Sequence, residues 1–281
     1  MKSYVFITGA AGGLGKAFAV ECASRGWNLF LTDLSDEVLM PVARGIERLY
    51  NANTLHYPCD LTDPASREAL WQQIGQQDLR FHFLVNVAGR DYEGPFDERQ
   101  VDELRTLVRL NIEATVEMTR RVLPFRDPTR TLRIINVSSL ASFYPMPLKA
   151  VYAASKRFLL DFSVALNQEL RSSGVTVTAL CPAGMPTTPA CLRAIEAQGV
   201  MGHITTMNVG EVAARAVDLA LAGRSVYVPG AVNQVLRAVG SLVAPPAVAF
   251  LLNRRWRESY QKQQSGVLAL PRPASPGQGR A

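Results

Sequence analysis

A tyrosine and a lysine four residues apart, Tyr152 and Lys156, are the residues of this sequence with the clearest chemical potential. On a helix, residues at this spacing share one face, so the lysine ammonium can lie beside the tyrosine phenol. A free phenol has a pKa of about 10, and a neighbouring cation favours its ionised form. We therefore expect Tyr152 to act as a general acid or base, with Lys156 lowering the pKa of its phenol. Many pairs at this spacing are solvated helix faces, so the surrounding elements decide the interpretation.

A glycine-rich turn near the N-terminus is the second stretch that suggests chemistry. It reads Thr8-Gly9-Ala10-Ala11-Gly12-Gly13-Leu14-Gly15 and lies between a short apolar run and a helical pattern. Glycines let the backbone approach a pyrophosphate, and the start of the following helix offers N–H groups to an anion. A second apolar run, residues 29–32, ends at Asp33. This order of strand, turn, helix and strand with a terminal acid is typical of a dinucleotide-binding site.

The carboxylate of Asp33 decides which cofactor we expect. It can accept a hydrogen bond from the 2′-hydroxyl of an adenosine ribose, and it would repel a 2′-phosphate. Neither Gly12 nor Leu34, the neighbours best placed to meet that phosphate, is basic. The sequence therefore predicts NAD in preference to NADP. The alternative is that Asp33 is only a helix N-cap or a loop aspartate before Ser35.

Strand and helix patterns alternate along the rest of the chain, which predicts an α/β fold with a doubly wound parallel sheet of the Rossmann type. We expect a single domain over residues 1–262, in which 231–262 form extra C-terminal helices, and a disordered tail over 263–281. Further strands are expected at 56–59, 81–87, 132–137, 175–180 and 225–228, and further helices at 38–50, 64–77, 98–123, 151–171 and 209–222. Ligands of such sheets bind at the carboxyl ends of the strands.

Polar or small residues follow several of these strands. Asp60 could accept a hydrogen bond from an adenine amino group, or it could cap the next helix. The run Asn86-Val87-Ala88-Gly89 would let a nucleotide lie against the strand ends. Asn111 lies within an apolar helix, so its amide needs partners. Ser138 and Ser139 begin a small polar loop after the strand at 132–137, and their neighbouring side chains would point opposite ways.

Together these motifs resemble the short-chain dehydrogenase/reductase family over roughly residues 3–230. The resemblance rests on the glycine turn, Asp60, the Asn86–Gly89 run, Asn111, Ser139, and Tyr152 with Lys156. The chain departs from the family pattern at two positions. Most members have asparagine where this chain has Val87, and most have glycine where it has Ala183, which leaves the local turn there uncertain. Neither departure touches the proton-transfer group.

The resemblance also implies a mechanism. Tyr152 would exchange a proton with the substrate oxygen while a hydride moves between the nicotinamide and the substrate carbon, and Ser139 would hydrogen-bond that oxygen. Lys156 would hold the nicotinamide ribose, Asn111 would keep its helix open and place a water, and Thr187 would contact the carboxamide. The implied catalytic residues are Asn111, Ser139, Tyr152 and Lys156. The implied NAD-binding residues are Thr8, Gly9, Gly13, Leu14, Gly15, Asp33, Asp60, Leu61, Asn86, Ala88, Gly89, Tyr152, Lys156, Pro182 and Thr187.

The loops expected around this site are mostly apolar, which favours a secondary alcohol or ketone on a hydrophobic body, such as a hydroxysteroid or an acyl chain. Apolar loop residues also pack on one another, so this reading has a structural alternative. The expected substrate-binding residues are Ser139, Tyr144, Tyr152 and Met185. The apolar C-terminal stretch could complete the pocket, form an oligomer interface or lie on a membrane surface, in that order of preference. Oligomers are usual in this family, so the resemblance implies a homodimer or homotetramer.

Composition excludes other classes of protein. The chain has 281 residues, 48% of them hydrophobic, and a formal net charge of +6 that lies partly near the C-terminus. The basic residues there alternate with apolar helix, unlike a nucleic-acid groove. Four cysteines without CxxC spacing and three scattered histidines do not suggest a metal site. Without a signal segment or a long apolar run, we expect a cytoplasmic protein.

Two alternatives to an NAD-dependent enzyme remain. A regulator that only senses the dinucleotide would need the glycine turn but no proton donor, so the set of Asn111, Ser139, Tyr152 and Lys156 argues against it. An NADP-dependent carbonyl reductase is disfavoured by Asp33 alone.

Overall fold

A parallel sheet of seven strands runs through the centre of the protein. The computed structural model describes residues 2–187, 191, 192, 195, 196 and 200–264. The strands are β1 Ser3–Thr8, β2 Asn28–Thr32, β3 Thr54–His56, β4 Arg80–Asn86, β5 Leu132–Val137, β6 Val175–Leu180 and β7 Val226–Tyr227. Their order is β3-β2-β1-β4-β5-β6-β7, so the winding of the sheet reverses between β1 and β4. Ligands of such sheets bind in the crevice at this switch point.

Helices cover both faces of the sheet. They are α1 Gly13–Ser24, α2 Asp36–Tyr50, α3 Pro64–Gln76, α4 Val101–Val108, α5 Thr115–Val122, α6 Ala150–Leu170, α7 Val200–Thr205, α8 Val209–Leu221, α9 Ala231–Leu242 and α10 Pro245–Gln264. On one face α1, α2 and α8 share a core that includes Phe18, Leu39 and Val212. On the other face α3 and α5 share a core that includes Leu70 and Met118. The predicted doubly wound α/β fold is therefore confirmed.

The third strand lies two residues earlier than the sequence predicts, at Thr54–His56 instead of 56–59. Pro58 has no N–H group, so the regular ladder against β2 ends before it. The chain nevertheless continues beside β2, because Tyr57 and Cys59 donate backbone hydrogen bonds to carbonyl groups at its end (3.0 and 2.8 Å). Asp60 consequently still emerges at the carboxyl edge of the sheet.

The long helix expected at 98–123 has a wide turn in its middle. A π-helical segment, Arg109–Ala114, separates α4 from α5 without breaking the chain direction. Segments of this kind are rare and occur frequently at functional sites. Asn111 lies within the widened turn, fully buried.

Two helices, α9 and α10, follow the last strand. The second runs from Pro245 to Gln264, two residues beyond the range 231–262 in which the extra helices are expected. Most of the expected tail, residues 265–281, lies outside the described residues. Within the described ranges, no helix combines the length and the apolar character that crossing a membrane requires.

Candidate active site

The predicted tyrosine and lysine lie together at the start of α6. Tyr152 is in the first turn of this helix, and the Lys156 Nζ lies 5.8 Å from the centroid of the Tyr152 ring. The lysine is 5% exposed, and its Nζ donates a hydrogen bond to the Val137 carbonyl oxygen at 2.8 Å. Since Val137 is the last residue of β5, the pair is placed at the carboxyl edge of the sheet.

Two neighbouring serines at the end of β5 have different partners. The Ser139 hydroxyl forms a hydrogen bond with the Tyr152 phenol. It also accepts a hydrogen bond from the Ala141 amide at 3.1 Å, which caps the short turn Leu140–Phe143. The Ser138 hydroxyl instead donates to the Lys156 carbonyl oxygen at 2.6 Å and is buried. The geometry therefore places Ser139, and not Ser138, beside the proposed proton donor.

The Tyr152 phenol differs from the expectation in its acidity. The pKa of Tyr152 is raised to about 12, first by burial and then by the Asp91 carboxylate, although the Ser139 hydrogen bond and the Lys149 ammonium lower it. Burial lowers the pKa of the Lys156 ammonium itself to about 8, and its Nζ donates a hydrogen bond to the Val137 carbonyl oxygen. The phenol is thus protonated at neutral pH, the form that can donate a proton.

The wide turn in the central helix directs the Asn111 amide towards the same site. Its Oδ1 accepts from the Arg90 amide at 2.8 Å, and its Nδ2 donates to the Arg90 carbonyl oxygen and to the Ser155 hydroxyl. A Cβ added to Gly89 would lie 3.2 Å from the Lys156 Nζ and 3.3 Å from the Asn111 Oδ1. Asn111 and Lys156 therefore meet across the backbone of Gly89.

The glycine-rich turn lies against the end of β4. Gly9 has a φ of 64°, and a Cβ there would come within 2.8 Å of the Ala88 amide nitrogen. Helix α1 begins after Gly12, which supplies no side-chain cap to the first N–H groups. Thr187 packs over the turn, because a Cβ on Gly13 would lie 2.8 Å from the Thr187 Cβ. These features fit the pyrophosphate of a dinucleotide, which helix N-termini bind well.

The carboxylates of Asp33 and Asp60, the two acidic residues expected at the nucleotide site, accept hydrogen bonds from nearby loop residues. Asp33 accepts from the Ala11 amide at 2.9 Å and from the Leu34 amide at 2.8 Å, while the N-cap of α2 is Ser35. Asp60 accepts from the amide and the hydroxyl of Thr62, while the N-cap of α3 is Asp63. Neither aspartate is the helix cap that the alternative readings required. Asp33 directly links β2 to the glycine turn.

Three predicted cofactor residues have side chains that serve the interior instead. The Thr8 Oγ1 accepts from the Val87 and Ala88 amides, which fastens the ends of β1 and β4 together. The Asn86 Nδ2 donates to the Thr119 hydroxyl and to the Asn136 Oδ1 (3.1 and 2.8 Å). Leu61 is part of the second core. These side chains hold the sheet together, and the expectation that the three residues contact a cofactor stays a prediction.

The expected substrate residues are divided between the site and the body of the protein. The Tyr144 ring packs on the backbone of α9, where a Cβ added to Gly240 would overlap it. Met185 is half-buried and packs against the first core, and its contact with a substrate stays a prediction. The Pro182 carbonyl oxygen accepts a hydrogen bond from the Leu140 amide at 2.7 Å, so it fixes the loop that carries Ser139.

An ion cluster that the sequence reasoning missed lies close to Tyr152. The Lys149 Nζ is 2.6 Å from the Asp91 Oδ2 and 3.2 Å from the Glu93 Oε2. It also lies 5.8 Å from the Tyr152 ring centroid and 5.2 Å from that of Trp256 in α10. The available signal was the spacing of three residues between Lys149 and Tyr152, which helical geometry places on one face.

Comparisons with known proteins agree with this geometry. A family model described as short chain dehydrogenase matches residues 3–196. A very-long-chain 3-oxoacyl-CoA reductase of Anas platyrhynchos is 35% identical over 188 residues, which are 65% of this chain and 59% of that protein. Hydroxysteroid dehydrogenase-like protein 1 of Gallus gallus is 37% identical over 183 residues, 64% of this chain and 54% of that protein.

A solved structure of similar fold covers nearly the whole chain. It is a short-chain dehydrogenase from Sphingobium yanoikuyae in complex with NADPH, with a TM-score of 0.73, 24% identity, and coverage of 98% of this chain and 99% of that one. The curated relatives are longer, because the chain spans 52% to 62% of the length of several that it matches.

Proposed function

Because this chain belongs to the short-chain dehydrogenase/reductase family, we propose that it transfers a hydride between NAD and a secondary alcohol or ketone carried on a hydrophobic body. The observation that carries the proposal is that Tyr152, Ser139 and Lys156 meet at the sheet edge where the glycine turn also ends. A phenol with a hydrogen-bonded serine beside it can hold a carbonyl oxygen and supply its proton.

NAD, when bound, supplies or accepts the hydride, and the protein supplies the rest. The glycine turn, with Ala88, Asp33 and Thr187 around it, would hold the dinucleotide. Ser139 and Tyr152 would bind the substrate oxygen with two hydrogen bonds, and the protonated phenol would donate its proton to that oxygen in reduction. Lys156 and Asn111, which meet over Gly89, would return a proton to the phenol through solvent.

The preference for NAD rests on Asp33. Its carboxylate lies at the end of β2 and is tied to the Ala11 amide, so a 2′-phosphate at this place would meet a fixed negative charge. NADPH is the cofactor in the Sphingobium structure, but at 24% identity that likeness shows the fold alone. An NADP-dependent reductase is therefore the second candidate function.

Cofactor preference provides the first test. With NAD and NADP in parallel and a panel of steroid, acyl and sugar alcohols, we expect turnover of the apolar members with NAD.

In Asp33→Ala we expect the ratio of kcat/KM for NAD over NADP to fall by about tenfold to a hundredfold, because each lost hydrogen bond or charge contact is worth about 1.5–3 kcal/mol. The ratio is measured from initial rates, which are followed by the absorbance of the reduced cofactor. Asp36→Ala, an exposed acid at the start of α2, is the matched control. An unchanged ratio would show that Asp33 only fastens the turn.

The substrate class follows from the same site and from the relatives. Tyr144 and Phe143 lie in the loop after Ser139, and α9 covers them, with Arg237 packing over the Phe143 ring at 4.9 Å. One relative is named a very-long-chain 3-oxoacyl-CoA reductase, and another is named hydroxysteroid dehydrogenase-like protein 1. Both names refer to a ketone or hydroxyl group on a largely apolar molecule. We propose an acyl-chain or steroid-like substrate for this chain as well.

A regulator that only senses NAD is the alternative from another class. It would not require the buried contact between Ser139 and Tyr152, or a π turn that brings Asn111 towards Lys156. Binding of NAD without turnover of any alcohol or ketone in the panel would favour this alternative.

The outer face of the C-terminal helices supports a further part of the proposal, contact with an anionic lipid surface. In α9 an apolar stripe is exposed: Val232, Val235, Val239 and Leu242. In α10 Phe250 and Leu251 are 77% and 65% exposed. Residues 219–257 contain five arginines and no aspartate or glutamate. An apolar face bordered by basic residues is typical of helices that lie in the headgroup region.

Vesicle binding tests this contact. The protein should sediment with vesicles of phosphatidylserine and phosphatidylcholine, and less with phosphatidylcholine alone. Leu242→Asp and Phe250→Asp together should lower the bound fraction at least about fivefold, since both lose apolar area and repel the lipid charge. Leu49→Asp, at a residue 73% exposed on α2, is the control. If the double variant instead dissociates an oligomer and leaves vesicle binding intact, the face is an interface between copies.

A further inference from the structure

Two lysine ammonium groups, not one, lie near the Tyr152 ring. We infer that Lys149 is a positioning residue for the proposed reaction: together with Asp91 it sets the charge around the Tyr152 hydroxyl, an inference that rests on the proposed function. The Nζ atoms of Lys149 and Lys156 are each 5.8 Å from the centroid of the Tyr152 ring. Only the second of them was expected from the sequence.

The position of the Lys149 ammonium is fixed from several sides. Asp91 and Glu93, in the loop after β4, bind it at 2.6 and 3.2 Å. The Trp256 ring of α10 covers it from the C-terminal side, and the lysine side chain is 11% exposed. Cation–aromatic contacts of this kind gain strength where water is excluded. The charge therefore cannot move away from the phenol without losing three partners.

Local backbone preferences oppose this arrangement, which argues that it has a function. Lys149 is the N-cap residue of α6, a position that favours serine, threonine, aspartate or asparagine and disfavours a cation. Leu148 before it has a left-handed φ of 64°, which is unusual for a branched apolar residue. The Leu148 carbonyl oxygen accepts from the Gly94 amide at 2.9 Å, which holds this conformation. Conflicts between local and global preferences tend to lie at functional sites.

The charges around the phenol act in opposite directions. Burial has the largest effect and raises the pKa of Tyr152; the Asp91 carboxylate raises this pKa as well, and the Lys149 ammonium lowers it. The other ionisable groups that face it are Lys156 in the same helix, Glu93 beside Asp91, and the Cys191 thiol, which also raises the pKa. Ser139 contributes its hydrogen bond.

This arrangement makes an unusual prediction, that two variants shift the acidity of Tyr152 in opposite senses. Lys149→Met leaves the Asp91 and Glu93 carboxylates uncompensated, so the pKa should rise by about one unit, as expected for loss of one charge at this range in a partly screened site. Asp91→Asn should lower it, because the carboxylate that disfavours the phenolate is gone. Lys149→Arg keeps the charge and should restore the original value. A merely structural role would give both charge-removing variants the same effect.

The measurement uses the full chain with 3-fluorotyrosine in place of tyrosine, which lowers the pKa of every phenol into a convenient range. Fluorine NMR then follows the ionisation of Tyr152, whose signal is identified by its loss in Tyr152→Phe. Arg157→Met is the matched control, since Arg157 lies in the same helix, is 57% exposed and pairs with Asp161. The combination of Lys149→Met with Asp91→Asn should return the midpoint close to its original value. If Lys149→Met shifts it no more than Arg157→Met, or if both charge removals shift it in one direction, the inference is wrong.

This titration requires neither cofactor nor substrate, so its result is separate from that of the proposed function. In the alcohol-oxidising direction, the rise of kcat/KM with pH should move upwards in Lys149→Met and downwards in Asp91→Asn, with the KM for NAD unchanged. Shifted titrations in a protein that turns over no member of the substrate panel would contradict the proposed function. Normal turnover with unshifted titrations would contradict only the role of Lys149.

Discussion

Tyr152→Phe is expected to lower kcat by about a thousandfold or more and to leave NAD binding within about twofold of its original value. The phenylalanine ring keeps the shape of the residue and its contacts with both lysines, but it removes the hydroxyl that Ser139 binds and that would carry the proton. Loss of a positioned acid or base typically costs a factor of about 100 to 10,000. Initial rates give kcat, and calorimetry with NAD gives the dissociation constant.

Tyr50→Phe at the end of α2 is a suitable control for this experiment, because Tyr50 packs against the first core and lies outside the site. Turnover of Tyr152→Phe near that of Tyr50→Phe would remove the proposed mechanism. Loss of NAD binding together with turnover would instead mean that the tyrosine mainly supports the fold of the cleft.

Gly15→Ala should have the largest effect on cofactor binding. A Cβ at this position would overlap the carbonyl oxygen of Gly9 and lie 2.9 Å from the Ala10 Cα, and backbone atoms cannot turn aside as a flexible side chain can. The turn must therefore open. We expect NADH affinity to fall at least about thirtyfold and the free energy of unfolding to fall by about 1–3 kcal/mol. Fluorescence titration with NADH and urea unfolding measure the two quantities.

Gly45→Ala provides the contrast, since a Cβ at Gly45 in α2 meets no atom within 4 Å. Because glycine is a poor helix former, this variant should gain about 0.5–1 kcal/mol in stability and bind NADH normally. Equal behaviour of the two variants would show that the glycine turn does not approach as closely as the structure indicates.

The parts of the molecule that local patterns determine could be predicted from the sequence. The apolar runs that became β1, β4, β5 and β6 are buried on both faces, and such runs are characteristic of parallel sheets. The pairing of Tyr152 with Lys156 follows from helical spacing, and strand alternation predicts that Ser138 and Ser139 have different partners. In each case the relevant neighbours lie within a few residues along the chain.

The features that the sequence did not reveal depend on contacts between distant segments. Lys149 and Asp91 are 58 residues apart, and nothing near either residue indicates that they form a pair. Whether Asn86 faces a nucleotide or the interior depends on Asn136 in the neighbouring strand. The pKa of Tyr152 was expected to be low because a cation is near, but burial has the larger effect, and its extent is a property of the whole fold.

The amides at the end of β4 and β5 have a consequence for the dimensions of the cleft. Thr8, Asn86 and Asn136 stand level in adjacent strands, and the Asn136 Nδ2 continues the series by donating to the Ser163 hydroxyl in α6. If any of these strands shifted by one residue, a buried side-chain amide would lose its hydrogen-bond partner. Each lost partner would lower the free energy of unfolding by about 1–3 kcal/mol. This row of hydrogen bonds fixes the distance between the carboxyl ends of the central strands and α6, which carries Tyr152. The separation between the proposed nucleotide site and the proposed proton donor is therefore set in the centre of the sheet and not in its loops.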